Sequence, residues 1–195
     1  SENELLKDHE NYYCNKCGLV AIMPQPTQTA LTEIYSRIYR ESSFAISISN
    51  DKIIDLPVQF PESAYSFARF ENFLSCASFM NEPLNKGSFV IDLGGYQGMF
   101  LSAMRDAYGI DGLVADFNDK GIKFASEALG FTKSMVIEDV LNINVPKKAH
   151  MVTMIHSLEH MTNPREVLDN IRSNLLVDNG YVYIEVAESV WFFTQ

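Results

Sequence analysis

One run of nine residues, Val90-Ile91-Asp92-Leu93-Gly94-Gly95-Tyr96-Gln97-Gly98, constrains this chain more than any other segment. It reads as a buried strand that runs into a glycine-rich loop and opens a helix. In an open parallel sheet, ligands bind at the carboxyl ends of strands, beside the point where the strand order reverses. Glycines there let the backbone approach a ligand closely. Asp92 sits at the strand's end, where a carboxylate can hold a cationic amino group, directly or through water, and repels a pyrophosphate. The dinucleotide fingerprint Gly-x-Gly-x-x-Gly is not met, because counting back from Gly98 through Gly95 puts Leu93 where the first glycine belongs. The pattern favours a nucleotide that carries an amino acid over NAD.

Beyond the loop, a rhythm repeats. Short β-rich runs at 89–92, 112–116, 133–139, 150–155 and 181–186 alternate with helical stretches at 99–108, 119–129 and 164–176. Gly109 and Gly130 end the first two helices, and Asp178-Asn179-Gly180 forms a turn after the third. Asn163 is placed to cap that third helix, Pro164 suits its first position, and Glu166 completes a capping box. Val167, Leu168, Ile171 and Leu175 then face inward. A further helix is expected from Pro61, with Phe70, Phe73, Leu74 and Ala77 on one face. Strand, helix, strand in this order predicts an α/β fold, a Rossmann-like parallel sheet with flanking helices over residues 61–195. The second strand ends in Asp116, placed to accept from ribose hydroxyls, and the third in Glu138-Asp139, placed to accept from an adenine amino group.

Ahead of this lies a small appendage over residues 1–41, joined by an aperiodic linker at 42–60. It holds Cys14-x-x-Cys17, the turn residue Gly18 and an apolar run to Met23, so it reads as half a knuckle followed by a strand. Leu31, Ile34, Tyr35 and Ile38 then mark a helix, with Thr27 or Thr29 as its cap. Structural zinc takes four ligands, and no second Cys pair is present. Cys76 reads as a small buried hydrophobe on a helix face, which leaves His9 as the nearest spare ligand. Cys14 and Cys17 are therefore metal candidates whose zinc is expected to be incompletely coordinated within this chain.

Composition narrows the function classes. Hydrophobic residues make up 47% of the chain and charged residues 21%, which excludes intrinsic disorder. Fifteen Lys and Arg against 25 Asp and Glu give a net charge of -10, which repels phosphate backbones and anionic lipid. No nucleic-acid or membrane partner is expected. No apolar run reaches the roughly 20 residues of a membrane span, and no secretory signal is apparent. With three cysteines and no disulfide framework, a cytoplasmic protein is expected.

DLGGYQG, Asp116, Asp139, the segment MVTMIHSLEHMTNP and NGYVYIEV together resemble class I S-adenosylmethionine-dependent methyltransferases over about residues 85–190. CNKCGLVAIMPQP with the following LTEIY resembles the zinc-binding N-terminal module of methyltransferases related to deoxysugar C-methyltransferases. The resemblance implies methyl transfer from S-adenosylmethionine to a small molecule, such as a nucleotide-linked sugar. It assigns the methionine part of the cofactor to Asp92, Gly94, Gly95 and Gly98, the ribose to Asp116, the adenine face to Phe117 and the adenine edge to Asp139, beside Val140. Tyr96, at a position often Gly or Asn in such loops, must point away from the ligand or cover it. Glu159-His160 match the family's Tyr-x-Glu-His pattern, whose histidine is the proposed base, while Ser157 stands in place of the tyrosine. In the family, a Cys pair upstream of Cys14 completes the zinc site, and two further strands follow the fifth. The chain is accordingly expected to be truncated at its C-terminus. The apolar Val190-Trp191-Phe192-Phe193 is expected to meet either those strands or a second copy of the chain.

Other readings stay open at this point. His160, oriented by Glu159 or a neighbour, can act as a general base, or His156 and His160 can cap the fourth strand and line the cofactor wall. His156-Ser157-Leu158-Glu159-His160 also matches the H-x-x-E-H pattern of zinc peptidases, which needs a long helix and a third ligand such as Glu185 or Glu188. An NAD-type oxidoreductase and a non-catalytic cofactor-binding module complete the alternatives.

Overall fold

Five parallel strands lie side by side in the order β5-β4-β3-β6-β7 in the computed structural model of the chain, which describes residues 8–31, 33 and 61–186. The strands are β3 (Phe89–Leu93), β4 (Asp111–Asp116), β5 (Met135–Val136), β6 (Ala149–Ile155) and β7 (Leu176–Glu185). Helices α1 (Pro61–Ala77), α2 (Met99–Tyr108), α3 (Asp119–Glu127) and α4 (Pro164–Asn170) flank them. A separate antiparallel pair, β1 (Glu10–Tyr13) and β2 (Val20–Met23), precedes the sheet. The expected Rossmann-like parallel sheet is present.

Strand alternation divides the core. Phe89, Ile91 and Leu93 of β3 join Leu113 and Ala115 of β4 and Val152 and Met154 of β6 on the face covered by α4. Val90, Val114 and Met151 point the other way, to Phe73 of α1, Leu101 and Met104 of α2, and Ile122 and Ala125 of α3. Because both faces are covered, the strands read as continuous apolar runs. Parity then places Asp92, Asp116, Thr153, Tyr183 and Glu185 on the α1–α3 face. That places the polar groups of four strands along one side of the sheet.

The elements depart from the sequence reading where local polar groups intervene. The third strand is only two residues long, since Asp139 accepts from Leu141 N at 2.9 Å and folds the chain into a turn over Val140–Asn142. Helix α4 stops at Asn170 and continues as one wide turn, Ile171–Leu175, directly into β7. The Asp178-Asn179-Gly180 turn therefore lies inside β7, where pairing jumps from Ala149–Leu176 to Met151–Tyr181. Asn163 precedes α4 as expected, yet its side chain makes no cap bond; it donates to Glu166 Oε2 at 3.2 Å instead. On α1 the buried stripe is Phe70, Phe73 and Ala77, at i, i+3 and i+7, which leaves Leu74 and Cys76 exposed. Both were expected inside.

In the appendage, Gly18 N bonds Cys14 O at 2.8 Å and Cys14 N bonds Leu19 O at 2.7 Å, closing the knuckle. Thr27 is the cap of the following helix, its Oγ1 accepting from Ala30 N at 3.2 Å. Ile34, Tyr35, Ile38, the 42–60 linker and Val190–Phe193 lie outside the described residues. Among the described residues no helix is long and apolar enough to cross a membrane.

Candidate active site

The strand order reverses between β3 and β6, because β3 leads to β4 on one side while β6 lies on the other. The loop after β3 sits at this switch point, where ligands of such sheets bind. Its backbone is packed too tightly for side chains. Gly94 has φ +75, and a Cβ on it would come within 2.6 Å of Ser157 Cβ. A Cβ on Gly95 would come within 2.3 Å of Asp92 Oδ2. Gly98, also left-handed, opens α2.

Of the two non-glycines in this loop, Tyr96 and Gln97, Tyr96 too is left-handed, at φ 48. Its N–H donates to Asp116 Oδ2 at 2.9 Å, which holds the strained conformation in place. Its ring lies against the first turn of α3, since a Cβ on Gly121 would meet Tyr96 Cδ2 at 2.7 Å. The side chain thus packs on α3.

Asp92 and Asp116 are 2% and 4% exposed. Thr153 Oγ1 donates to Asp92 Oδ1 at 2.7 Å, and Asn118 N donates to Asp116 Oδ1 at 2.8 Å. Burial pushes the Asp92 carboxyl up to about 7, against the Thr153 hydrogen bond and with a further push from Asp116. Burial likewise raises Asp116, opposed by the N–H groups of Asn118, Tyr96 and Phe117. Two desolvated carboxylates that repel each other at the mouth of a glycine loop would be relieved by a cation and aggravated by a phosphate. The donor set therefore fits a nucleotide with an α-ammonium and does not fit a pyrophosphate.

Next to them, Phe117 is 38% exposed at the end of β4. Asp139 is exposed, its oxygens accepting from Leu141 N and, at 2.8 Å, from Asn142 Nδ2. Val140, expected beside the adenine edge, has its side chain in the core at 6% exposure, and its carbonyl accepts from Asn170 Nδ2 at 3.1 Å.

A second group of polar residues gathers at the ends of β6 and β7. His156 follows β6 at φ 49, with Nδ1 3.4 Å from Glu159 Oε1 and Nε2 3.7 Å from Glu185 Oε1. Arg69 of α1 forms an ion pair with Glu185, which also accepts from Asn72 Nδ2 at 3.3 Å and from Tyr183 OH at 2.9 Å. His160, in the turn Leu158–His160, is held below its ordinary range by burial; Glu159 raises it and His156 lowers it. Ser157 is buried and donates to Leu93 O at 2.9 Å, which ties the histidine segment to the end of β3.

Residues 66–193 match the family model described as a methyltransferase domain. The chain belongs to this family.

Solved structures agree in fold. The plantazolicin methyltransferase BpumL, in complex with a pentazolic desmethylPZN analog and SAH, superposes with a TM-score of 0.51 at 18% identity, over 80% of this chain and 51% of that one. The glycopeptide N-methyltransferase MtfA, complexed with S-adenosylmethionine, gives 0.52 at 13% identity, over 67% and 58%. The chain spans little more than half the length of either. No curated protein matches it in sequence.

Within this methyltransferase domain the sequence pattern singled out Asp92, the loop glycines and Asp116, and the fold brings them together. It did not single out Thr153, Arg69, Asn72 or Tyr183, and it raised Glu185 only as a metal ligand. The period-2 alternation of β6 and β7 was the available signal, because it puts Thr153, Tyr183 and Glu185 on the face of Asp92.

The peptidase motif lacks its helical frame. His156 ends a strand in a left-handed conformation, Glu159 and His160 lie in a short 3₁₀ turn, and α4 begins only at Pro164. In the knuckle, Cys14 and Cys17 are exposed, and the N–H groups of Lys16 and Cys17 draw the Cys14 thiol down, the polarity a thiolate ligand needs. His9 does not join them; its Nδ1 donates to the Pro24 carbonyl. Among the described residues no group of three or more His, Cys, Asp or Glu is placed to hold a metal ion.

Proposed function

We propose that the chain transfers a methyl group from S-adenosylmethionine to a small-molecule acceptor, of the class of nucleotide-linked sugars or related metabolites. The observation that carries the cofactor half is the buried, mutually repelling pair Asp92 and Asp116 on either side of a glycine loop at the switch point. When bound, the cofactor supplies an electrophilic methyl on a sulfonium centre. Asp92 and the backbone of Gly94 and Gly95 would hold its amino-acid end, Asp116 its ribose, and Phe117 with Asp139 its base. The net charge of -10 works against a nucleic-acid acceptor.

The remaining task of this chain is positioning and proton removal. Methyl transfer needs a nucleophile aligned on the methyl carbon and a base if that nucleophile carries a proton. His160 is neutral at neutral pH, because burial lowers it, and so can accept a proton from a hydroxyl or a carbon acid. Glu159 and His156 stand beside it. The acceptor class is supported by the sequence CNKCGLVAIMPQP with the following LTEIY, which resembles the N-terminal module of methyltransferases related to deoxysugar C-methyltransferases. We assign residues 1–41 to that module, 42–60 to a linker and 61–195 to the catalytic unit.

Thermal unfolding with S-adenosylhomocysteine, against NADH at equal concentration, tests the reading. Stabilisation by the former alone supports it. Stabilisation by NADH, or by neither while the chain is folded, contradicts it.

A further inference from the structure

Glu185 addresses His156 twice. Its carbonyl accepts from His156 N at 2.7 Å, and its carboxylate Oε1 lies 3.7 Å from His156 Nε2. The main-chain contact follows from the parallel register that pairs Ile155 with Glu185, so the last rung of the sheet aligns the two residues. The same carboxylate is held at Oε1 by Arg69 and Asn72 of α1 and at Oε2 by Tyr183 OH. Those two helix residues are placed by Phe73, whose ring meets that of Tyr183 edge-on at 5.3 Å. On the far side of the ring, Glu159 Oε1 lies 3.4 Å from Nδ1. His156 is thus bracketed by one carboxylate at each ring nitrogen.

A neutral imidazole has one N–H, and whichever carboxylate takes it decides which nitrogen is left to accept a proton. We propose that Glu185, braced by Arg69 and Tyr183, is a positioning residue that fixes the ring orientation and tautomer of His156 against the competing pull of Glu159. This deepens the methyl-transfer reading and rests on it, since the tautomer of His156 then sets the polarity of the wall that the acceptor and His160 share. A purely structural Arg69–Glu185 pair would dock α1 and leave the ring indifferent to Glu185. At 3.7 Å the Nε2–Oε1 approach is an electrostatic contact and not a hydrogen bond, so Glu185 acts on the ring through its charge.

Imidazole nitrogen NMR of the chain without ligand separates these cases, with His150 as the internal control. His150 accepts from Phe89 N at 3.0 Å at the other end of β6. In Glu185→Gln, the Nε2 resonance of His156 is expected to move more than Nδ1, in Glu159→Gln the reverse, and His150 to stay in place in both. Wild-type positions for His156 in Glu185→Gln, or equal movement of His150, would overturn the proposal. Should Glu185→Gln fail to fold, Tyr183→Phe removes one bond to Glu185 Oε2 and keeps Arg69. A smaller displacement of His156 in the same direction supports the role, and none refutes it. S-adenosylhomocysteine binding measured on the wild type is a separate outcome; its absence would strike the methyl-transfer reading and leave the ring result standing.

Discussion

Replacing Asp92 by Asn makes the folded protein more stable at neutral pH, and the gain grows as pH rises from about 4 to about 7 and levels off above it. The folded carboxyl titrates near 7 against an ordinary 3.8, because burial outweighs the Thr153 hydrogen bond. Between those two values the folded state keeps a proton that the unfolded state has lost. Stability of the wild type therefore falls as pH rises from about 4 to about 7, by about 4 kcal/mol at about 1.36 kcal/mol for each tenfold. Asn mimics the protonated acid, and its Oδ1 can still accept from Thr153, so the variant lacks this slope. Urea unfolding of both proteins from about pH 5 to about pH 8 reads it directly. The stability difference in favour of Asp92→Asn is expected to be about 1–2 kcal/mol at the acid end and about 4 kcal/mol at the alkaline end. A difference that stays flat, or turns against the variant as pH rises, would refute the assignment of a buried, proton-retaining Asp92.

Other outcomes rest on the same geometry. An ammonium group docked on Asp92 must find it ionised, so wild-type affinity for S-adenosylhomocysteine is expected to weaken towards tenfold between about pH 7 and about pH 6, checked by calorimetry; a pH-independent affinity would remove Asp92 from the site. Gly121→Ala gains about 1 kcal/mol of helix propensity but brings a Cβ within 2.7 Å of Tyr96 Cδ2 and 2.9 Å of Tyr96 O. A net loss of about 1–3 kcal/mol is expected, and an unchanged urea midpoint would show that Tyr96 does not pack there. Glu159→Gln removes the charge that raises His160, so the His160 titration followed by proton NMR is expected to move further down. An unchanged or upward-moving titration would mean that the Glu159 carboxylate does not act on the His160 ring.

Much of the sheet was legible because its central strands are buried on both faces and α2 ends in glycine. Phe89–Leu93 is apolar at every position but Asp92, and Gly109 closes α2 with φ 67. Legibility failed where a side chain competes with the backbone or where contacts are distant. Asp139 bonds Leu141 N and cuts a seven-residue expectation down to Met135–Val136. Asn163 prefers the Glu166 carboxylate to the helix amides. Cys76 and Leu74 escape the pattern because the five apolar residues between Phe70 and Ala77 fit more than one stripe, and of them Phe70, Phe73 and Ala77 pack. For the site, Asp92, Gly94, Gly95 and Asp116 stood out because each sits at a strand end or in the loop. Arg69 and Glu185 are 116 residues apart, so no local pattern links them. Their meeting depends on α1 crossing to the end of β7, which only packing of Phe73 against Phe100 and Tyr183 decides.

Calorimetric titration of the folded chain with S-adenosylmethionine and S-adenosylhomocysteine, repeated on Asp92→Asn and with NADH as control, tests the central claim most directly. Binding of both sulfur nucleosides to the wild type, its loss in the stabilised Asp92→Asn protein and no heat with NADH are the predicted result. Undiminished binding to Asp92→Asn, or binding of NADH in place of the sulfur nucleosides, would contradict the account.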